Sequence, residues 1–287
     1  MKKVKIVTDS TSDLTIEIAK AYNIEIVPLS IVIDDKTYLD RVDISPKEFI
    51  EKMKTSKELP KSSQPAVGQF VELYDRLGED GSEVISIHMT SGMSGTVSSA
   101  ENAAQITSTK VTVIDSKFIS KALSYQVIEA AKMAEEGYSS EEIVEKIEHI
   151  RKNTYLYVVV DTLENLVKGG RIGKGKAMIG SLLNIKPIAS LADGVYTPTA
   201  KVRSQSQIIN YLTKQFSEDT KDKIVKRISV VHAEAHELAV KIKESIVETT
   251  GFQDVTIEYT TPVISTHTGP GAIGFMYYAE DATRDQN

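Results

Sequence analysis

Val4 to Leu14, VKIVTDSTSDL, passes from an apolar run straight into a cluster of hydroxyls and carboxylates. Val4, Ile6 and Val7 predict a buried strand, and Thr8 to Asp13 supply caps for a helix starting near Leu14. A strand ending this way before a helix is where open α/β sheets gather ligand contacts, although plain capping is the everyday use of each such residue. The unit returns twice. Val84 to Ile87 precedes Thr90 to Thr96 and a helix of small residues; Lys110 to Ile114 precedes Asp115-Ser116 and a helix from Lys117 to Glu136. Repetition of this kind implies a parallel sheet with its polar loops gathered at one edge. Asp9, Ser10, Ser62, Ser94 and Ser116 thereby become candidate ligand contacts.

Between these units, Ile24 to Ile33 is β-rich and Thr37 to Leu39 is a short return strand after the Asp34-Asp35 turn. Lys57 to Gln64 reads as a polar loop. Ser45 with Glu48 and Ser139 with Glu142 have capping-box spacing, and Pro46 favours a helix start. The second half opens on a strand, Tyr155 to Val160. A hairpin follows, Pro187 to Leu191 and Val195 to Thr197 about Asp193-Gly194. Helices Ser206 to Phe216 and Glu234 to Thr249, strands Arg227 to Val231 and Val255 to Tyr259, and a last strand through Tyr278 complete it. The expected fold is α/β, two tightly joined α/β domains with mainly parallel sheets. Residues 1–152 would carry the Ser/Thr loops, and 153–287 the basic glycine-rich segment and the His267-Thr268-Gly269-Pro270-Gly271 loop.

At 287 residues the chain is long enough for two domains of ordinary size. The absence of cysteine excludes disulfides, zinc–thiolate sites and a cysteine nucleophile, and fits a reducing compartment. Met1 to Ser10 reads as a first strand rather than a signal peptide, and no stretch approaches a membrane span, so the expected place is the cytoplasm. A net charge of −6 argues against nucleic acid as a partner.

Within this acidic chain, Asp161 to Arg203 holds seven Lys or Arg against three Asp or Glu. A basic, glycine-rich segment suggests an anion or an acidic partner, against the bland reading of a solvated loop. Its parts read as a short helix capped by Thr162 and stopped by Gly169-Gly170, then an apolar helix from Ala177 to Leu183. Three motifs fail. GRIGKGK at Gly170 to Lys176 continues with Ala177 where a P-loop needs Ser or Thr, and follows a helix rather than a strand. Gly269 to Gly274 fits the dinucleotide pattern but lacks the acidic residue about 20 positions on. His232-Ala-Glu-Ala-His236 lacks both the zincin order and a third ligand, so no metal site is expected.

What remains is Ser62, Ser94, His267 and, by character, Arg171. Ser94 as nucleophile with His267 as base would make a hydrolase, although no Asp is placed to orient the histidine. Hydroxyls, backbone N–H groups and one imidazole can equally bind a carboxylate or phosphate without attacking it. Both readings stand on the residues alone, as does a sensor or interaction protein using the basic loop.

Six blocks, in order, carry a family likeness: Thr8 to Leu14, Ser62-Ser63-Gln64-Pro65, Ser91 to Thr96, Leu163 to Gly173, Gly180 to Pro187 and His267 to Gly271. Through them the sequence resembles the DegV family, which includes the fatty-acid-binding subunits of bacterial fatty acid kinase. The resemblance implies a two-domain carrier, not itself an enzyme and without a cofactor, that buries a long-chain fatty acid in a ligand site between the two α/β domains and feeds phospholipid synthesis. The head group would be held by Ser62, Ser94 and His267, with Thr268, Ser116, Asp9 and Ser10 nearby. Arg171, with Lys201 and Arg203, would serve the acyl phosphate or the separate ATP-dependent kinase subunit, and a transient membrane-surface contact is compatible with such a carrier. The chain departs from the pattern at Ser62, where threonine is usual, and at Lys121-Ala122-Leu123, where glycines are usual.

Overall fold

The computed structural model describes residues 3–178 and 185–282. In the first half β1 (Val4–Asp9), β2 (Ile24–Val27), β3 (Ser30–Ile33), β4 (Lys36–Leu39), β5 (Lys61–Ser63), β6 (Glu83–His88) and β7 (Val111–Asp115) form two sheets. One has the order β2-β1-β6-β7 and is wholly parallel; the other, β4-β3-β5, is antiparallel. Ser62 thus lies on a short strand opposite Ile31, not in a loop. Both capping boxes form, at Ser45/Glu48 and at Ser139/Glu142.

In the second half β8 (Thr154–Val159), β9 (Lys186–Ser190), β10 (Thr197–Val202), β11 (Lys223–His232), β12 (Val255–Tyr259) and β13 (Ile273–Asp281) form one sheet, ordered β10-β9-β8-β13-β11-β12. The two α/β blocks are as expected, but "mainly parallel" needs correcting here. Among the described residues only β11 and β12 run parallel in this sheet. They are the pair joined by a helical crossover, His236–Thr250, whereas β9 and β10 are joined by a turn that reverses the chain at Asp193-Gly194, both with positive φ. The apolar helix expected over Ala177 to Leu183 lies largely outside the described residues; Gly173–Met178 is a 3-10 helix.

Alternation along the strands sorts the layers. Val7 faces a core with Phe70, Tyr74 and Ala100, while Ile6 faces the opposite way. On β13, Phe275 and Tyr277 join Phe216 and Ile242 beneath the second sheet, while Met276 and Tyr278 join Ile6. The helix Ser120–Glu136 sits in that common layer, packed on β1 on one side and β13 on the other. Among the described residues no helix is long and apolar enough to cross a membrane.

The two halves are also joined by polar contacts. Asp13 accepts hydrogen bonds from the Thr261 N–H (2.8 Å) and the Thr260 hydroxyl (3.0 Å). Asp40 accepts from the Val263 N–H. Burial pushes the Asp40 carboxyl up to about 7, in keeping with its second oxygen having no partner among the described residues.

Candidate functional site

These carboxyl groups hold the start of the helix Pro262–Thr268, which Thr261 caps and Pro262 opens without an N–H to satisfy. Val263, Ile264, His267 and Thr268 recur at helical spacing and line one cavity of about 50 Å³. β5 brings Ser62 to the same wall, so that Ser62 Oγ lies 2.7 Å from His267 Nε2. Ser94 and Arg171 line it too. Arg171 Nε donates to the Met93 carbonyl (3.0 Å) and Nη1 to the Gly169 carbonyl (2.6 Å), so one guanidinium ties both halves of the chain. The rest of the wall is mainly apolar: Leu29, Met89, Ile119, Val158 and Leu166 among others. A second cavity of about 20 Å³ shares Ile119, Val158, Ile264 and Thr268 with the first and continues it to Val231, Gly274 and Met276.

Burial, with Arg171 second, pushes the His267 imidazole down to about 4, so it is neutral at pH 7. Between about 6.5 and 4 the unfolded chain takes a proton here that the folded chain refuses. This group therefore withdraws stability as pH falls through that window. Its Nδ1 is buried without a partner among the described residues. In a Ser-His-Asp hydrolase a carboxylate accepts from that nitrogen. Gly169 packs there instead, so closely that a Cβ would lie 2.3 Å from Nδ1. The Ser94 hydroxyl lies 2.8 Å from that of Thr96, and it is Ser62, not the Ser94 of the hydrolase alternative, that meets His267.

Three other candidates are near the cavity but do not line it. Asp9 accepts the Met89 N–H (2.8 Å), Ser10 accepts the Leu29 N–H (3.1 Å), and Ser116 accepts the Phe118 N–H (3.1 Å) beside Ile119. Each uses its polar atoms to fix the backbone of a wall residue or its neighbour, because a buried N–H must be satisfied. Thr268 lines the wall, with its hydroxyl proton given to the Ile264 carbonyl. Lys201 and Arg203 are exposed and line neither cavity. Nor do Lys121, Ala122 and Leu123: Lys121 Nζ donates to the Asp13 carbonyl (2.8 Å) and pairs with Glu258 (2.7 Å). His232 Nδ1 accepts the Ala235 N–H at the end of β11, a capping role.

The structure also holds a buried chain of hydrogen bonds that the sequence did not bring together. The Tyr74 hydroxyl donates to Ser86 Oγ (2.8 Å), Ser86 Oγ lies 2.6 Å from His88 Nε2, and His88 Nδ1 lies 3.1 Å from Asp9. Serine, histidine and aspartate stand in triad order, yet Asp9, Ser86 and His88 are all 0% exposed and none lines the cavity. Sequence reading also missed Tyr196 and the helix Pro262–Thr268. Thr261-Pro262 is a legible start signal for that helix; nothing local marks Tyr196.

Comparison with known proteins covers nearly the whole chain. The model of the family described as "Uncharacterised protein, DegV family" matches residues 3–280. A DegV domain-containing protein of Listeria monocytogenes is 45% identical over 281 residues, covering 98% of this chain and 100% of that protein. Among solved structures, DegV of Bacillus subtilis, described as a fatty acid binding protein, has a TM-score of 0.89 at 34% identity, covering 97% of this chain and 100% of that one. A DegV family protein of Thermus thermophilus, described by its fatty acid binding, has a TM-score of 0.91 at 30% identity, covering 96% and 99%. Family match, relative and fold each cover nearly the whole chain, and the chain belongs to the DegV family.

Proposed function

We propose that this chain binds a long-chain fatty acid, with the carboxylate at Ser62, Ser94 and His267 and the acyl chain along the apolar walls. The carrying observation is the pairing of Ser62 Oγ with a neutral, buried imidazole at the polar end of a cavity otherwise lined by apolar side chains. With its proton on Nε2, His267 donates to Ser62 Oγ and leaves the serine proton free for the carboxylate. Each buried methylene adds about 0.8 kcal/mol, so the tail supplies affinity and the polar end supplies orientation. Met89 and Met93, flexible and polarizable, are suited to yield to a chain bulkier than the cavity. The fatty acid binding described for the Bacillus and Thermus proteins supports the reading.

On the same reading the carboxylate is presented to a separate ATP-dependent kinase. Arg171 stands at the polar end, and exposed Lys174, Lys176, Lys201 and Arg203 belong to the glycine-rich segment and to the β10 strand or its end. Mass spectrometry of an organic extract from natively purified protein tests the first step. Fatty acid retained in stoichiometric amount supports it, and a protein that neither retains nor takes up fatty acids refutes it. For the second step, Arg171→Ala is expected to bind fatty acid and to lose kinase-dependent phosphorylation; normal turnover removes Arg171 from the scheme.

The tail end has its own test. A Cβ on Gly274 would lie 2.8 Å from Val231 Cγ2 and 3.1 Å from Met276 Cε, in the second cavity. Gly274→Val is expected to weaken octadecanoic acid by about fourfold per displaced methylene while sparing dodecanoic acid. Equal losses for both acids would place the tail elsewhere.

A further inference from the structure

We infer that Tyr196 is a further head-group ligand, its phenol donating a hydrogen bond to the bound oxyanion; this rests on the fatty-acid reading above. Tyr196 is 1% exposed and lines the same cavity as Ser62, Ser94, Arg171 and His267. Its hydroxyl is buried with no hydrogen-bond partner among the described residues. An unpaired buried hydroxyl is costly, and such groups persist where a ligand completes them. Burial also raises the phenol well above its ordinary value, so at neutral pH it is a donor and never an anion facing an anion.

The basic glycine-rich segment now has a second use, that of seating this ring. The Lys174 N–H donates to the Tyr196 carbonyl (3.0 Å), and a Cβ on Gly175 would lie 3.1 Å from Tyr196 Cε1. Any side chain at 175 would crowd the ring and shift its hydroxyl. The loop that looked like an anion-binding motif in the sequence therefore acts through the tyrosine it supports.

Tyr196→Phe removes one oxygen and keeps the ring. Hexadecanoic acid binding is expected to weaken roughly 10- to 100-fold, the range for a hydrogen bond to a charged group, with the melting temperature of the protein maintained. Hexadecanol, which has no charged oxygen, is expected to lose much less; a merely structural role would move both alike. Unchanged or tighter binding of the acid by Tyr196→Phe overturns the assignment, since it shows the hydroxyl facing the tail. Wild-type protein that takes up no fatty acid overturns the carrier reading and this assignment together. Wild-type uptake with an unaltered variant overturns the assignment alone.

Discussion

Asp9→Ala is expected to lower the free energy of unfolding by about 3–5 kcal/mol, a large share of the total for a domain of ordinary stability. Asp9 accepts from the Thr11 N–H (3.0 Å), the Thr11 hydroxyl (2.6 Å) and the Met89 N–H (2.8 Å), and it lies against His88. All of this is fully buried, so alanine would strand several polar groups at once, each costing about 1–3 kcal/mol when left without a partner. Equilibrium denaturation in urea would read the loss directly. A change below about 1 kcal/mol would mean that water replaces the carboxylate and that the region is more open than its burial implies. The same measurement separates the structural role from the ligand-binding role first expected of Asp9.

On the proposed carrier reading, Gly169→Ala is expected to weaken fatty-acid binding roughly 10- to 100-fold, the worth of a hydrogen bond to a charged group. The glycine has ordinary helical φ and ψ, so the backbone does not require it. Space does. A methyl group 2.3 Å from Nδ1 must push the imidazole aside, and His267 then loses its place against Ser62. Titration with hexadecanoic acid would show the loss, and an unaltered affinity would mean that the ring can shift without loss of the head-group site. The fold should survive, because Gly169 follows the end of its helix and is only partly buried.

Much of the first domain was legible from the residues. The strand-to-helix units at Val4, Val84 and Lys110 gave the parallel sheet, because a buried strand followed by a cap and a helix has few other solutions. The capping boxes were legible for the same local reason. Ser62 and His267 could be named but not paired as they are, since 205 positions separate them. The direction of side chains at a strand end was not legible either. Asp9, Ser10 and Ser116 have the composition of ligand contacts, and only their neighbours in space show that they serve backbone N–H groups. The second sheet was misread in direction because β13 comes last in the chain and inserts between β8 and β11, a long-range event with no local signature. Tyr196 was invisible for a similar reason: its role depends on a cavity assembled from many separate segments.

The layer around the helix Ser120–Glu136 contains residues of both halves, from Ile6 and Leu29 to Val158, Ile264 and Met276. The walls of the cavity are drawn from this layer. Neither half could therefore be expressed as a self-sufficient module: each would bare an apolar face to water and keep only a fraction of the site. Fission of this chain, or exchange of one half with a relative, would succeed only where the two apolar surfaces match. The cavity is a seam and not a cassette.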